Sequence, residues 1–269
     1  MEGIQIRFAE PKDAVQIADL FCSGFRPEVA QLLVYGCKGA SEYIRMQLAS
    51  GVAGAESVYF VAQTPNGIVG AAELRRRSNR LLLNYIAVHP SHRGQGVGAI
   101  LFSAAVGMSG VSSGQIGLDV LHDNVRALQW YSRLGFVTRT SAEFLECVPP
   151  CSADEDPAYA SGLPQADLCQ AQFGFSKFDL ITGQGTFSVG RIGDTWFRLT
   201  DPAAVGSPAI FAALNLLDPG RRIFAVVPAS SAPPAQVVRL LAKTQRMEAE
   251  IPQLMSSLSG DHQKSRELV

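Results

Sequence analysis

Strand-like and helix-like segments alternate along the whole chain, which predicts an α/β protein of the α+β kind. Two further observations refine this: a glycine-rich run joins an apolar strand to an apolar helix near residue 95, and the composition changes near residue 147, dividing the 269 residues into a larger first part and a smaller second part. Residues 4–8 read as an opening strand, and residues 11–21 and Ala40–Ala49 as helices. Residues 58–63 and 68–74 flank Pro65-Asn66-Gly67 and read as a hairpin. Residues 81–88 form an apolar strand, 99–107 a helix, and Gln115–Leu121 a further strand. A helix follows that carries Asn124 and Tyr131, two turns apart and so on one face. Gly135 is positioned to close it as a left-handed cap, with the next strand starting at Phe136.

Arg93-Gly94-Gln95-Gly96-Val97-Gly98 reads as a diphosphate cradle. Glycines let the backbone approach an anion, and the N–H groups at a helix start, helped by the helix dipole, bind phosphate oxygens. The run is not a nucleoside-triphosphatase loop, because Ala99-Ile100 stand where Lys-Ser/Thr is needed. It is not a dinucleotide fingerprint either, since Arg93 occupies the place of the first glycine.

Composition narrows the class. Net charge is −1 and Arg75-Arg76-Arg77 is the only cationic run, read as a solvated strand end, so no nucleic-acid partner is expected. No apolar stretch is long enough to span a bilayer, and the start MEGIQIRFAE lacks the features of a secretion signal, so a cytoplasmic protein is expected. Cys22, Cys37, Cys147, Cys151 and Cys169 have no metal-ligand spacing; reduced thiols and no metal are expected.

The pattern Arg-x-x-Gly-x-Gly at 93–98, preceded by Ile86-Ala87-Val88-His89-Pro90, resembles the acetyl-coenzyme A loop of the GCN5-related N-acetyltransferases (GNAT). Leu118-Asp119-Val120, Asn124, Ala127, Tyr131 and Gly135-Phe136 resemble that family's next strand and helix, and the resemblance extends over residues 3–146. It implies a central, mostly antiparallel mixed sheet with splayed central strands flanked by helices. It further implies that strand 82–88 carries a bulge and parts from Gln115–Leu121 to admit pantetheine. Ile86 and Val88 would then bond pantetheine through their backbone, and an N–H near Ala87 would polarise the thioester carbonyl. Arg93, Gly94, Gln95, Gly96, Val97 and Gly98 would hold the diphosphate, and Asn124 would bond pantetheine or cap its helix. Tyr131 matches the residue that protonates the departing thiolate in many relatives; its other reading is an aromatic packed beneath the coenzyme.

The general base departs from the family pattern. Many relatives carry Glu near the position of Asn84, and Asn cannot take a proton. Glu73 is the candidate, directly or through water, against a reading as a strand-end carboxylate near Arg75 and Arg77; His89, His122 and a base-free reaction of a low-pKa amine are alternatives. The family binds its acceptor through the first helices, here residues 21–50 with Phe25, Arg26, Tyr35, Tyr43 and Arg45, and the few acids there favour a small amine, an amino acid-like molecule or a peptide N-terminus.

The expected organisation is a GNAT domain over 1–147, a linker over 148–159, a C-terminal α/β domain over 160–256 and a polar tail over 257–269. Residues 173–181, Gly185–Ile192, 195–199 and 223–227 read as strands, and Ser207-Pro208 starts a helix stopped by Asp218-Pro219-Gly220. After Pro233-Pro234, Val237, Leu240, Leu241, Met247 and Ile251 recur at helical spacing. The succession is that of a degenerate GNAT half, but without a second phosphate loop, since Gly183-Gln184-Gly185 reads as a turn. The expected activity is acetyl-coenzyme A-dependent transfer to a primary amine, with no metal. The alternative is a non-catalytic coenzyme A-binding module. In either case the C-terminal part offers a surface for a homodimer or a protein partner.

Overall fold

The computed structural model describes residues 3–51, 55–77, 80–148, 157–230 and 237–266, with side chains through 258. Most of the expected linker, Cys151 and the Pro233-Pro234 pair lie outside the described residues. The chain begins with β1 (Gln5–Phe8), α1 (Ala14–Ser23), α2 (Pro27–Ala30), α3 (Ala40–Ala49), β2 (Ser57–Thr64), β3 (Gly67–Arg77) and β4 (Arg80–Val88). It continues with α4 (Val97–Met108), β5 (Gln115–Leu121), α5 (Val125–Arg133), β6 (Val137–Cys147), β7 (Tyr159–Ser161), α6 (Leu163–Phe173), β8 (Phe175–Thr182) and β9 (Gly185–Ile192). It ends with β10 (Trp196–Leu199), α7 (Pro202–Gly206), α8 (Pro208–Leu217), β11 (Arg222–Pro228), β12 (Val237–Glu250) and α9 (Ile251–Arg266).

Two compact units result, neither from one continuous stretch. Unit 1 takes Met1–Phe25, Ser41–Arg139 and Gln245–Val269, and unit 2 takes Arg26–Ala40 and Thr140–Thr244. Compactness therefore does not follow the consecutive division drawn along the sequence.

In unit 1, β1, β2, β3 and β4 pair antiparallel in sequence order, β5 joins β4 in parallel, and the end of β12 lies beside β5. One face of this sheet, with Phe60, Leu74, Leu83 and Leu118, packs against Leu101, Phe102 and Ala105 of α4, Tyr131 of α5, and Leu254 and Leu258 of α9. Each fully buried leucine contributes roughly 1.5–3 kcal/mol of transfer free energy. Leu254→Ala would remove that and leave a cavity, for a cost of about 2–5 kcal/mol. At the start of α1, Asp13 accepts hydrogen bonds from Arg7 at 2.6 Å and from the Glu10 N–H at 2.8 Å. Burial opposes the charge on Asp13, but these bonds outweigh it and hold the carboxyl below its ordinary value.

In unit 2, β7, β8, β9 and β10 pair antiparallel, β10 pairs β11 in parallel, and β11 pairs β6 antiparallel. Phe178, Leu180, Val189, Phe197 and Leu199 pack against Ile210, Phe211 and Leu214 of α8. Trp196, Ile192 and Phe224 join a second cluster with Leu32 and Cys37. Residues 26–40, part of the stretch expected to bind the acceptor, thus belong to unit 2, with Tyr35 buried.

Residues 237–250 also differ from expectation. Their apolar spacing suggests a helix, yet they form strand β12, because pairing partners on both sides outweigh local propensity. Within unit 2, Arg239 bonds Glu146 and Lys243 bonds Glu143; within unit 1, Arg246 pairs with Asp119. The expected polar tail is helical as far as Arg266.

Candidate active site

The sheet of unit 1 opens where β4 meets β5. The two strands pair from Arg80↔Gln115 to Leu83↔Leu118 and no further, although β4 runs on to Val88 and β5 to Leu121. On its other side β4 stays paired with β3, where Glu73↔Tyr85 is followed by Leu74↔Leu83. Asn84 is therefore an extra residue, a bulge that bends the strand at the point where pairing with β5 stops. The result is a fork whose open arm carries Tyr85, Ile86, Ala87 and Val88. Ile86 and Val88 pack towards α4 and α5. Ala87 faces the C-terminal end of α1, where a Cβ placed on Gly24 would stand 4.0 Å from its own Cβ.

Below the fork lies the glycine loop. Gly94 and Gly96 have φ of +80° and +76°, so a branched side chain at either would cost about 1–2 kcal/mol in strain. Arg93 donates from Nε to the Val88 carbonyl at 2.9 Å, tying the loop to the end of β4, and Gln95 Nε2 donates to the Ser91 carbonyl at 3.0 Å. The first helical bonds of α4 run from the N–H groups of Ala99 and Ile100 to the Gly96 carbonyl. Among the described residues, the five consecutive N–H groups of 94–98 have no hydrogen-bond partner. Five unpaired donors at the start of a twelve-residue helix are able to receive an anion. Arg126 on α5 adds a cation that sequence reasoning missed, its guanidinium 3.8 Å from where a Gly94 Cβ would stand. Only the topology, which brings α5 beside the loop, reveals it.

Asn124 caps α5, its Oδ1 accepting from the Ala127 N–H at 3.2 Å, which matches the capping alternative from the sequence. Gly135, at φ +91°, closes the same helix. Tyr131 lies between them, its ring against Trp130 and Phe136 at 4.9 and 5.6 Å. Burial pushes its phenol well above its ordinary pKa, so it carries its proton at any working pH. Among the described residues its hydroxyl has no hydrogen-bond partner.

Glu73 is fully buried on the face of β3 opposite the α4 core. Its Oε1 accepts from Ser57 Oγ and from Arg75 Nε, both at 2.9 Å, and its Oε2 accepts from Asn84 Nδ2 at 2.6 Å. Nearby, Tyr85 stacks on Phe21 at 5.2 Å and meets Phe25 edge-on at 5.8 Å. His89 and His92 both bond the Ser91 hydroxyl, and His122 bonds Gln245, all near the surface. A cavity of about 290 Å³ at the far end of α4, lined by Val106, Val111, Ile251 and Met255 among others, offers no ionisable group for the chemistry. Among the described residues no cluster of His, Cys, Asp and Glu could hold a metal, and no helix is long and apolar enough to cross a membrane.

A strand fork above a glycine loop in unit 1, and a second parallel strand pair with neither fork nor loop in unit 2, define a class, and comparison with known proteins agrees. Residues 55–138 match the model of the acetyltransferase (GNAT) domain. A tandem GNAT protein from the clavulanic acid biosynthesis pathway superposes with a TM-score of 0.67 at 11% identity, over 92% of this chain and 98% of that one. A GCN5-related N-acetyltransferase from Sphaerobacter thermophilus does so with 0.60 at 13% identity, over 93% and 96%. No curated protein matches the sequence. Residues 55–138 thus carry the match to the acetyltransferase (GNAT) domain, and the whole chain shares the fold of tandem GNAT proteins, with a second GNAT-like part.

Proposed function

We propose that unit 1 binds acetyl-coenzyme A and transfers its acetyl group directly to a primary amine of a small molecule or a peptide within a ternary complex. The observation that carries this reading is the fork at Leu83↔Leu118 standing over five unpaired N–H groups at 94–98. A thioester arm entering the fork would take backbone hydrogen bonds from Ile86 and Val88, where β4 has lost its β5 partner. The diphosphate would lie on the N–H groups of Gly94, Gln95, Gly96, Val97 and Gly98, with Arg93 and Arg126 as flanking cations. An N–H at Ala87 would receive the carbonyl oxygen as it gains charge. The amine nitrogen bonds to the carbonyl carbon, the carbon–sulfur bond breaks, and Tyr131 gives its proton to the departing sulfur. The surplus proton on the amine leaves to water, and Tyr131 is reprotonated from solvent. Most of the rate comes from holding the two reactants together.

The engagement of Glu73 with Arg75, and Asn rather than an acid at 84, favour one second reading: a coenzyme A-binding regulatory or assembly module in which unit 2 meets a protein partner or a second copy. Calorimetry with acetyl-coenzyme A, followed by thiol release in the presence of a panel of amines, amino acids and peptides, separates the two. Binding with release is the expected result. Binding without release from any acceptor supports the module, and no binding removes both.

A further inference from the structure

Asn84 stands one residue beyond the last β4–β5 pair, at the mouth of the fork. The orientation of its amide follows from its neighbour. Glu73, ion-paired with Arg75, is a carboxylate and can only accept hydrogen bonds, so the atom of Asn84 that lies 2.6 Å from it is the NH₂ group. Asn84 Oδ1 is then turned away from Glu73, and among the described residues it accepts no hydrogen bond. Both Glu73 oxygens are occupied, by Ser57 and Arg75 on one side and Asn84 on the other, so taking a proton there would sacrifice a buried ion pair. The fork thus offers an incoming amine a hydrogen-bond acceptor and no base.

Resting on the acetyl-transfer reading, we infer that Asn84 Oδ1, held in place by Glu73, receives an N–H of the acceptor, and that the acceptor is an amine already neutral near pH 8, of the α-amino type found at a peptide N-terminus. An ordinary alkylamine such as a lysine side chain or a polyamine arrives as an ammonium ion with three donors and no lone pair. At pH 7.5 about a third of an α-amino group with a pKa near 7.8 is neutral, against about one part in a thousand of an amine with a pKa near 10.4, a difference of roughly 250-fold. The surroundings agree with an uncharged acceptor. Phe25 and Tyr85, both half-buried, and Phe21 line this side of the fork. The charged and titratable groups around Glu73 are Arg75 on β3, its strand partners Tyr59 on β2 and Tyr85 on β4, and Tyr43 on α3, on which Glu56 ahead of β2 also acts. At the end of β5, Asp119 is paired with Arg246, and His122 bonds Gln245.

The test uses the full chain, saturating acetyl-coenzyme A, and two probes of similar bulk: phenylalanine amide, an α-amino compound, and 2-phenylethylamine, an alkylamine. At pH 7.5 kcat/KM favours phenylalanine amide by about 100-fold, and the rising limb of each pH profile ends near that amine's own pKa. Asn84→Ala raises KM for phenylalanine amide by about tenfold while the dissociation constant of acetyl-coenzyme A stays the same. Glu73→Gln, whose side-chain oxygen still accepts from Asn84, retains more of that affinity than Glu73→Ala. One shared rising limb for both amines would mean a protein base and overturn the inference, as would an unchanged KM in Asn84→Ala. Acetyl-coenzyme A binding without thiol release from either probe also overturns it, whereas failure to bind acetyl-coenzyme A removes the underlying reading instead.

Discussion

Each unit contains a parallel strand pair, bridged by one helix, α4, in unit 1 and by two, α7 and α8, in unit 2, and the two crossovers differ in how far their strands pair and in what the connection presents. In unit 1, β4 has nine residues and pairs with β5 over the first four only. In unit 2, β10 has four residues and all of them, from Trp196↔Arg222 to Leu199↔Ala225, are paired with β11. The connections differ as sharply. After β4 the chain leaves five N–H groups unpaired at 94–98. After β10 the Asp201 carboxylate accepts from the Ala203 N–H at 2.9 Å, and Pro202 and Pro208, at the starts of α7 and α8, have no N–H to give. Unit 2 thus fills with its own carboxylate and prolines the positions where unit 1 presents donors. Shared topology supplies a place for a coenzyme; the length of the pairing and the chemistry of one loop decide whether the place is open.

Altering the loops on both sides should break this contrast most severely. Gly96→Val forces a branched residue into a left-handed conformation and disturbs the donors, and acetyl-coenzyme A affinity should fall by about two orders of magnitude by calorimetry. Asp201→Ala, the counterpart change in unit 2, should leave that affinity unaltered. Tyr131→Phe should come next, lowering kcat by about 100-fold while the dissociation constant changes less than about twofold. Because burial keeps the phenol protonated, wild-type activity should show no loss from Tyr131 ionisation up to about pH 10.

Unit 2 can be weakened separately. Burial opposes ionisation of Glu146, but hydrogen bonds from Arg222 and Arg239 outweigh it and hold the carboxyl below its ordinary value of 4.5. A depressed folded pKa means that this contribution is fully present above pH 4.5 and is lost as pH falls through the folded value. Both arginines reach solvent, so Glu146→Gln should cost only about 1–2 kcal/mol, lowering the melting temperature by about 2–6 °C at neutral pH and by less in acid. The smallest effect concerns Cys147, whose thiol burial pushes up to about 11. Peptide mapping after treatment with a thiol reagent at pH 8 should find Cys22 and Cys169 modified well before Cys147.

The sequence makes the loop legible because its signals are local: glycines at two left-handed positions, Asn124 as a cap and Gly135 as a helix stop act within a few residues of themselves. What it hides depends on distant partners. Val237–Glu250 is rich in helix-forming residues, and only pairing with strands distant in sequence makes it a strand. Residues 26–40 give no local sign that Leu32 and Cys37 find their core beside Trp196 and Phe224. The resemblance led to the expectation of a bulge in strand 82–88, but its position at Asn84 and the burial of Glu73 were illegible for the same reason. A one-residue shift between strands leaves no mark in composition, and a carboxylate near three arginines reads as surface until its burial is known.

The central claim is that the open crossover of unit 1 holds one acetyl-coenzyme A and the closed crossover of unit 2 holds none. Calorimetric titration of the wild-type chain with acetyl-coenzyme A tests this most directly. The account predicts one site per chain, lost in Gly96→Val; two sites, or a site that survives Gly96→Val, would contradict it.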